Sequence, residues 1–253
     1  MKIGEWLKKN SQTILTFVLV LLIWHFGVLI FGVKEFILPT PISAVRTLFE
    51  AKFRWPMNFM ATFYEVVGGF LVSGIVGIVL GIMVVWSELL KRSILPFLVF
   101  LNSLPKIAVA PLFMIWFGYG ILPNILIVFL ISFFPVVINT ATGLVAVEED
   151  LLDLVDCLHA TKMQKMAKIQ VPNSLPYIFS SLKIAATTAV TGAIVGEFVA
   201  SDKGLGSVII ASQTTLATPV IFGSLILITL IGMILFGVVG ILERVLMPWE
   251  KQK

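Results

Sequence analysis

Charge, cysteine and histidine are all scarce in this sequence. Charged residues make up 13% of the 253 and hydrophobic ones 58%, with one cysteine and two histidines. A lone cysteine allows no internal disulfide, and Cys157 reads as an inert packing residue on a polar loop. So few histidines and cysteines leave no ligand cluster, and no metal site is expected. No G-x-x-x-x-G-K-[ST] stretch occurs, which removes the P-loop route to ATP phosphates. Neither H-E-x-x-H nor G-x-S-x-G is present, so the chain does not read as an enzyme. The net charge of +4 is scattered over positions flanking apolar runs, which gives no nucleic-acid signal.

What fills the sequence instead is apolar length. Mean hydropathy is +1.05, and the apolar share exceeds the roughly 45–50% of soluble domains. Runs of about 20 apolar residues predict a polytopic helical membrane protein. The spans are expected at 13–32, 62–86, 105–121, 122–145, 176–200 and 220–242. A signal peptide competes for the first run, but Phe31-Gly32-Val33-Lys34 offers no small-residue cleavage site, so a retained anchor is expected. His25 within it reads as packed against a neighbouring helix rather than as a ligand. After a turn at Leu38-Pro39-Thr40-Pro41, residues 42–53 read as a short amphipathic interfacial helix. Gly69, Ser73, Gly77 and Gly81 form a small-residue row that lets another helix approach closely. Residues 87–92 read as a short polar loop.

The third span has two readings. A single helix from Leu95 would place Lys106 about 17 Å along it, at a cost of about 3 kcal/mol. Asn102-Ser103 followed by Pro105-Lys106 suggests a break, with 89–104 along the interface and a short span from Pro105. We favour the break. Pro111 in that span is either a kink or part of a pathway wall, since freed carbonyls need protein or water beside them. On the fifth span, Thr188 and Thr191 give a polar surface facing a candidate pathway. Lys183 lies about 10 Å in and can snorkel, and Glu197 lies about 31 Å along, near the opposite interface, as a candidate gate.

The longest polar interval, 147–172, reads VEEDLLDLVDCLHATKMQKMAKIQVP. Leu151, Val155 and Leu158 recur at helical spacing, while Glu148, Glu149, Asp150, Asp153 and Asp156 take other faces. A break follows at His159-Ala160. Thr161 stands three residues before Gln164, the spacing of a capping box. The second helix carries Lys162, Lys165 and Lys168 and is expected to end before Pro172. Ser174 is the expected cap of the next span, with Pro176 in its first turn. The result is a charge-segregated helix-turn-helix, a lever for another protein to push; the plain alternative is a solvated amphipathic loop.

This interval resembles the cytoplasmic loop of ABC-importer permeases, whose pattern is E-A-A, three residues, Gly, nine residues, Ile-x-Leu-Pro. Counted back from Pro172, Val171 and Ile169 take the hydrophobic positions, His159 the glycine, and Asp153-Leu154-Val155 the E-A-A. A left-handed turn is expected at His159, a residue type enriched in that conformation. Two further stretches look like the nitrate, sulfonate, taurine and pyrimidine-precursor branch of those permeases. One is Pro105 to Leu112 followed by Trp116-Phe117-Gly118; the other runs from Gly196-Glu197-Phe198 to Gly206.

The resemblance implies an all-α membrane protein with six transmembrane helices and a type I ABC-importer permease core. It implies one domain over 1–253, with a core at about 58–246 and a coupling loop at 147–172. ATP and Mg2+ would be used by a separate dimer of ATP-binding cassette subunits, with no cofactor bound directly. Those subunits would dock on Asp153, His159, Ala160, Thr161, Lys162, Met163, Ile169, Val171 and Pro172. An extracytoplasmic solute-binding protein and a second permease copy, as a homodimer, would complete the importer in a bacterial-type inner membrane. Its solute would be a sulfonate, taurine, nitrate, or a pyrimidine- or riboflavin-like molecule. Lipid is the other contact, and no nucleic acid is implied.

Orientation agrees with that placement. With both ends inside, the cytoplasmic side collects Lys2, Lys8, Lys9, Lys91, Arg92, Lys106, Lys162, Lys165, Lys168, Lys183, Arg244, Lys251 and Lys253. Only Lys34, Arg46, Lys52, Arg54 and Lys203 fall outside. The rival readings are a small secondary transporter or channel, or a membrane scaffold, each acting without an ATPase. Copurification with an ATP-binding subunit separates them.

Overall fold

Small side chains decide where the bundle closes. The computed structural model describes residues 11–249. Its helices are α1 (Ser11–Ile30), α2 (Pro41–Thr47), α3 (Trp55–Trp86), α4 (Glu88–Ser103), α5 (Lys106–Phe117) and α6 (Ile121–Val145). They continue as α7 (Glu149–Cys157), α8 (Lys162–Lys165), α9 (Val171–Ala200), α10 (Leu205–Thr214) and α11 (Thr218–Leu246). The central helix is α6, against which α3 and α9 both pack. A Cβ on Gly69, Gly77 or Gly81 would come within 2.3, 2.7 and 2.6 Å of Val128, Val136 and Thr140 on α6. Gly192 and Gly196 approach from α9, where a Cβ would lie 2.8 Å from the Val128 backbone and 2.6 Å from Asn124. Lipid is as apolar as the helices, so this close approach, and not water exclusion, holds them together.

Among the described residues, five helical stretches are long and apolar enough to cross a membrane: Ser11–Ile30, Ala51–Trp86, Ile121–Val145, Lys162–Val199 and Thr218–Leu246. The pair Glu88–Ser103 and Lys106–Phe117, bent by 95°, supplies a sixth when taken as one broken span. α1 stands at the rim, where Val28 is buried and the Trp24 and Phe222 rings lie 5.4 Å apart. His25 meets Phe26 edge-on there, and its buried Nδ1 has no hydrogen-bond partner.

Several boundaries differ from the sequence expectations. Residues 87–92 are not a loop: Ser87 caps α4, accepting from Leu90 N–H, and Glu88, Lys91 and Arg92 pair along its first turns. The third span does not reach Ile121. α5 has 12 residues, about 18 Å of rise, and meets α4 at the 95° bend where the break at Pro105 was expected. The expected helix at 42–53 is a shorter α2 capped by Thr40, followed by a tight turn at Ala51–Phe53.

The second arm of the lever does not end before Pro172. α8 passes through a wide turn at Met166–Gln170 straight into α9, and Val171 N–H donates to the Met166 carbonyl, five residues back. Proline lacks the N–H that an α-helical turn would use, and a π turn absorbs the mismatch. Ser174 therefore caps nothing; its hydroxyl donates to the Val171 carbonyl at 2.8 Å, and Pro176 lies inside the helix. Cys157 is exposed rather than packed. The residues Lys2, Lys8, Lys9, Lys251 and Lys253 used in the orientation argument lie outside the described residues.

Candidate functional site

The lever is built as two capped helices meeting at one left-handed residue. His159 has φ 55°. Its N–H donates to the Asp156 carbonyl at 2.9 Å, and Ala160 N–H donates to the Val155 carbonyl at 3.2 Å. This is the pattern of a Schellman cap, usually closed by glycine. The turn expected from the sequence is therefore present, with histidine in the glycine role. Two residues on, Thr161 Oγ1 accepts from Gln164 N–H at 3.3 Å and Gln164 Oε1 accepts from Thr161 N–H at 2.8 Å, a complete capping box. Lys165 pairs with Asp156 across the elbow. The charge segregation read from the sequence thus becomes a tie between the two arms.

The lever is also fastened to the bundle. Lys162 Nζ donates to the Trp86 carbonyl at the end of α3 and lies 5.0 Å from the centroid of the Trp86 ring. Asn173 Nδ2 donates to the Gly143 carbonyl of α6 at 3.3 Å. Asp153, His159, Thr161, Lys162, Met163 and Pro172 are exposed, while Ala160, Ile169 and Val171 are half-buried. At the tip, Leu154, Leu158 and Met163 are 58%, 73% and 66% exposed. Behind it, a groove of about 560 Å³ is lined by Glu148, Leu151, Lys168, Ile169, Pro172 and Trp249, among others.

The candidate pathway residues do not converge. Pro111 is exposed within α5, and Thr191 is exposed on α9. Thr188 instead turns toward α6, its hydroxyl 3.4 Å from Ser132 Oγ and 3.1 Å from the Ile184 carbonyl. Lys183 does not simply snorkel; it pairs with Glu243 of α11 at 2.5 Å. Glu197 is 2% exposed and sits inside a polar cluster rather than open at a mouth.

That cluster is the main feature sequence reasoning missed. Asn58, Thr62 and Glu65 lie four and three residues apart on α3 and are all buried. They face the first turn of α10. Gly204 N–H donates to Asn58 Oδ1 at 3.0 Å, and Leu205 N–H donates to Thr62 Oγ1 at 2.8 Å. Gly206 N–H donates to Glu197 Oε2, and Thr62 Oγ1 donates to Glu197 Oε1 at 2.5 Å. The free amides of a helix start need acceptors, and here two other helices supply them. Gly204, at φ 111°, has no room for a side chain: a Cβ would lie 2.3 Å from the Glu197 carboxyl. Glu65 lies against Glu197 and accepts from Asn124 Nδ2 at 2.8 Å. The signal for Glu65 was available as a carboxylate inside an apolar run, which is functional by default.

Residues 73–252 match the family described as binding-protein-dependent transport system inner membrane component. The chain is 32% identical to a formylaminopyrimidine transport permease protein of Halalkalibacterium halodurans, covering 98% of this chain and 100% of that one. It is 33% identical to a riboflavin transport system permease protein of Chloroflexus aurantiacus, over 93% of this chain and 88% of the relative. A putative aliphatic sulfonates transport permease protein of Bacillus subtilis is 30% identical over 86% of this chain and 80% of its own. Among solved structures, an inward-facing conformation of the MetNI methionine ABC transporter matches with TM-score 0.59 at 16% identity. That match covers 74% of this chain and 94% of the other, and it speaks to the fold alone.

Proposed function

The chain belongs to the binding-protein-dependent transport system inner membrane components, and we propose that it carries force from a separate ATPase through the lever at 147–172 into a pathway shared by two copies. It is a permease subunit of an ABC importer, a transport subunit in the inner membrane that works with an ATPase and a solute-binding protein.

In this reading the whole chain acts as one permease unit with its core at about 58–246 and both ends in the cytoplasm. ATP and Mg2+ are held and used in the partner ATPase dimer. The docking surface comprises Asp153, His159, Ala160, Thr161, Lys162, Met163, Ile169, Val171 and Pro172. One observation carries this: Leu154, Leu158 and Met163 stand exposed at the tip of a doubly capped polar elbow. Apolar groups held out on a rigid polar element are a surface waiting for a partner. Because α8 runs unbroken into α9, a push at the tip moves a membrane-spanning rod. Thr191, Pro111 and the outer end of α9 near Glu197 then line or gate the pathway, completed by the second copy of a homodimer. The solute is a small organic molecule of the range that the relatives' names describe.

The test is coexpression with the ATPase and purification on a tag carried by this chain. Replacing Ala160 and Thr161 together with glutamate should abolish copurification and solute-stimulated hydrolysis. Full retention of both in the variant would remove the lever from the docking surface.

A further inference from the structure

Gly69, Gly77 and Gly81 of α3 meet Val128, Val136 and Thr140 of α6 in turn. Positions rise together on the two helices, so they run parallel, and the chain between Trp86 and Ile121 has to return along the bundle. α4 and α5 make that return. Leu98 of α4 packs in one cluster with Phe133 and Val137 of α6, and Ala110 and Met114 of α5 in another with Ile127. The bend between α4 and α5 therefore lies level with the middle of α6 (Ile121–Val145). The length of α5 gives the same depth, about 18 Å of rise in an apolar core of roughly 30 Å. Lys106 stands at this bend, and not at the cytoplasmic surface where the sequence reading placed it.

A lysine at the centre of a bilayer costs about 3 kcal/mol and ordinarily has a partner. Lys183 on α9 has one, the Glu243 carboxylate at 2.5 Å. Lys106 has none: its Nζ donates to Asn102 Oδ1 at 2.8 Å, and among the described residues no carboxylate pairs with it. Asn102, Ser103, Leu104 and Pro105 are exposed around it, and α5 begins without a side-chain cap. Open backbone at that depth is tolerated only against protein or a watery cavity. Lipid phosphates lie about 15 Å away at the surfaces, beyond the reach of this side chain. What is left to meet the ammonium is a group that itself crosses the membrane.

We propose that Lys106 is an anion-selecting residue of the pathway, its ammonium meeting an oxyanion group of the solute (carboxylate, sulfonate or phosphate) at the bend between α4 and α5. The site rests on the importer reading above and narrows its substrate. Asn102 holds the ammonium at the bend, and a positive charge walled by apolar helices concentrates anions beside it.

The experiment uses the permease assembled with its ATPase in lipid nanodiscs. Cys157→Ser removes the single native cysteine, and Ser103→Cys places a thiol beside Lys106. The thiol is labelled with an anionic (sulfonatoethyl) and a cationic (trimethylammonioethyl) methanethiosulfonate, each rate taken relative to a free thiol. Both should react, the anionic reagent about tenfold or more faster, because a focused charge raises such rates by about 10–10³. Lys106→Gln should erase the preference and Lys106→Arg should keep it. Leu104→Cys serves if Ser103→Cys does not assemble. At least one of acetate, methanesulfonate and inorganic phosphate should slow the labelling, and should fail to do so with Lys106→Gln, while uncharged acetamide should not slow it. Which of the three protects tells the oxyanion classes apart. A thiol that neither reagent reaches faces lipid and overturns the site. Equal rates, a preference that survives Lys106→Gln, or protection by none of the three anions overturns it as well. In each of those cases a complex that keeps its ATPase leaves the importer reading standing. A parent chain that retains no ATPase overturns that reading instead, and the site with it.

Discussion

The Lys162 ammonium rests on Trp86, donating to its carbonyl and lying 5.0 Å from its ring centroid, and so fastens the lever to the far end of α3. The contact joins residues 76 apart in sequence and ties an exposed elbow to a membrane helix. It sits where the last carbonyls of α3 lack helical partners, a position that favours a cation.

Removing this tie should uncouple before it unfolds. Lys162→Met keeps the length of the side chain and loses both interactions. An exposed charge contact of this kind contributes about 1 kcal/mol or less to stability. The melting temperature of the purified complex should therefore shift little, while solute-stimulated ATP hydrolysis falls about three- to tenfold. Unchanged stimulated hydrolysis in the variant would mean that the tie from Lys162 to Trp86 carries none of the force into α3.

His159 pays for its left-handed backbone, and glycine would not. The conformation costs a non-glycine residue about 1–2 kcal/mol. His159→Gly should leave the elbow as stable or more stable, and His159→Val should weaken it by about that amount. Hydrogen exchange of the His159 and Ala160 amides, the two donors of the cap, reads the difference. Equal protection in all three chains would show that the turn is held by tertiary contacts and not by its own cap.

At the other end, Glu197→Ala should be among the most damaging single changes. It strips acceptors from Gly206 N–H and Thr62 Oγ1 together. Thr62 Oγ1 can fall back on the Asn58 carbonyl at 3.2 Å, but Gly206 N–H cannot, and a buried donor left unpaired costs about 1–3 kcal/mol, seen as a fall in thermal stability in detergent. Gly204→Ala should also destabilise, because its Cβ would meet the Glu197 carboxyl at 2.3 Å and φ is 111°. A wild-type melt for either variant would contradict the capping geometry.

Gly77→Val tests the closure of the bundle. A Cβ there would lie 2.7 Å from Val136 Cβ and 3.2 Å from the Phe133 carbonyl. Overpacking of this kind costs about 1–3 kcal/mol. By contrast Gly240→Ala, where nothing lies within 4 Å of the added carbon, should be neutral. Comparable melts for the two would mean that α3 and α6 are not in close contact.

Much of this protein was legible in order along the chain. Apolar length marked the spans, because a bilayer leaves the backbone of a crossing segment no alternative to helix. The Gly69–Ser73–Gly77–Gly81 row marked a close contact, and Thr161-Gln164 marked the capping box, since both depend on spacing alone. Proline was read too strongly. Pro172 and Pro176 suggested an end and a beginning, but a π turn at Met166–Gln170 leads straight into α9, which takes Pro172 in its first turn and Pro176 inside it. Ser87-Glu88 looked like loop and was a helix cap followed by its first residue, a distinction that polarity alone does not make.

The sequence by itself determined the class of molecule, the places of most of its helices and the charged elbow at 147–172, because each follows from local period and length. Only the tertiary structure decided which partners the buried charges have. Glu65 and Glu197 are 132 positions apart, and Glu197 caps Gly206 across a turn while Thr62 reaches it from another helix. Nothing in residue spacing says that α3, α9 and the start of α10 meet, since that encounter is set by which glycines let which helices approach.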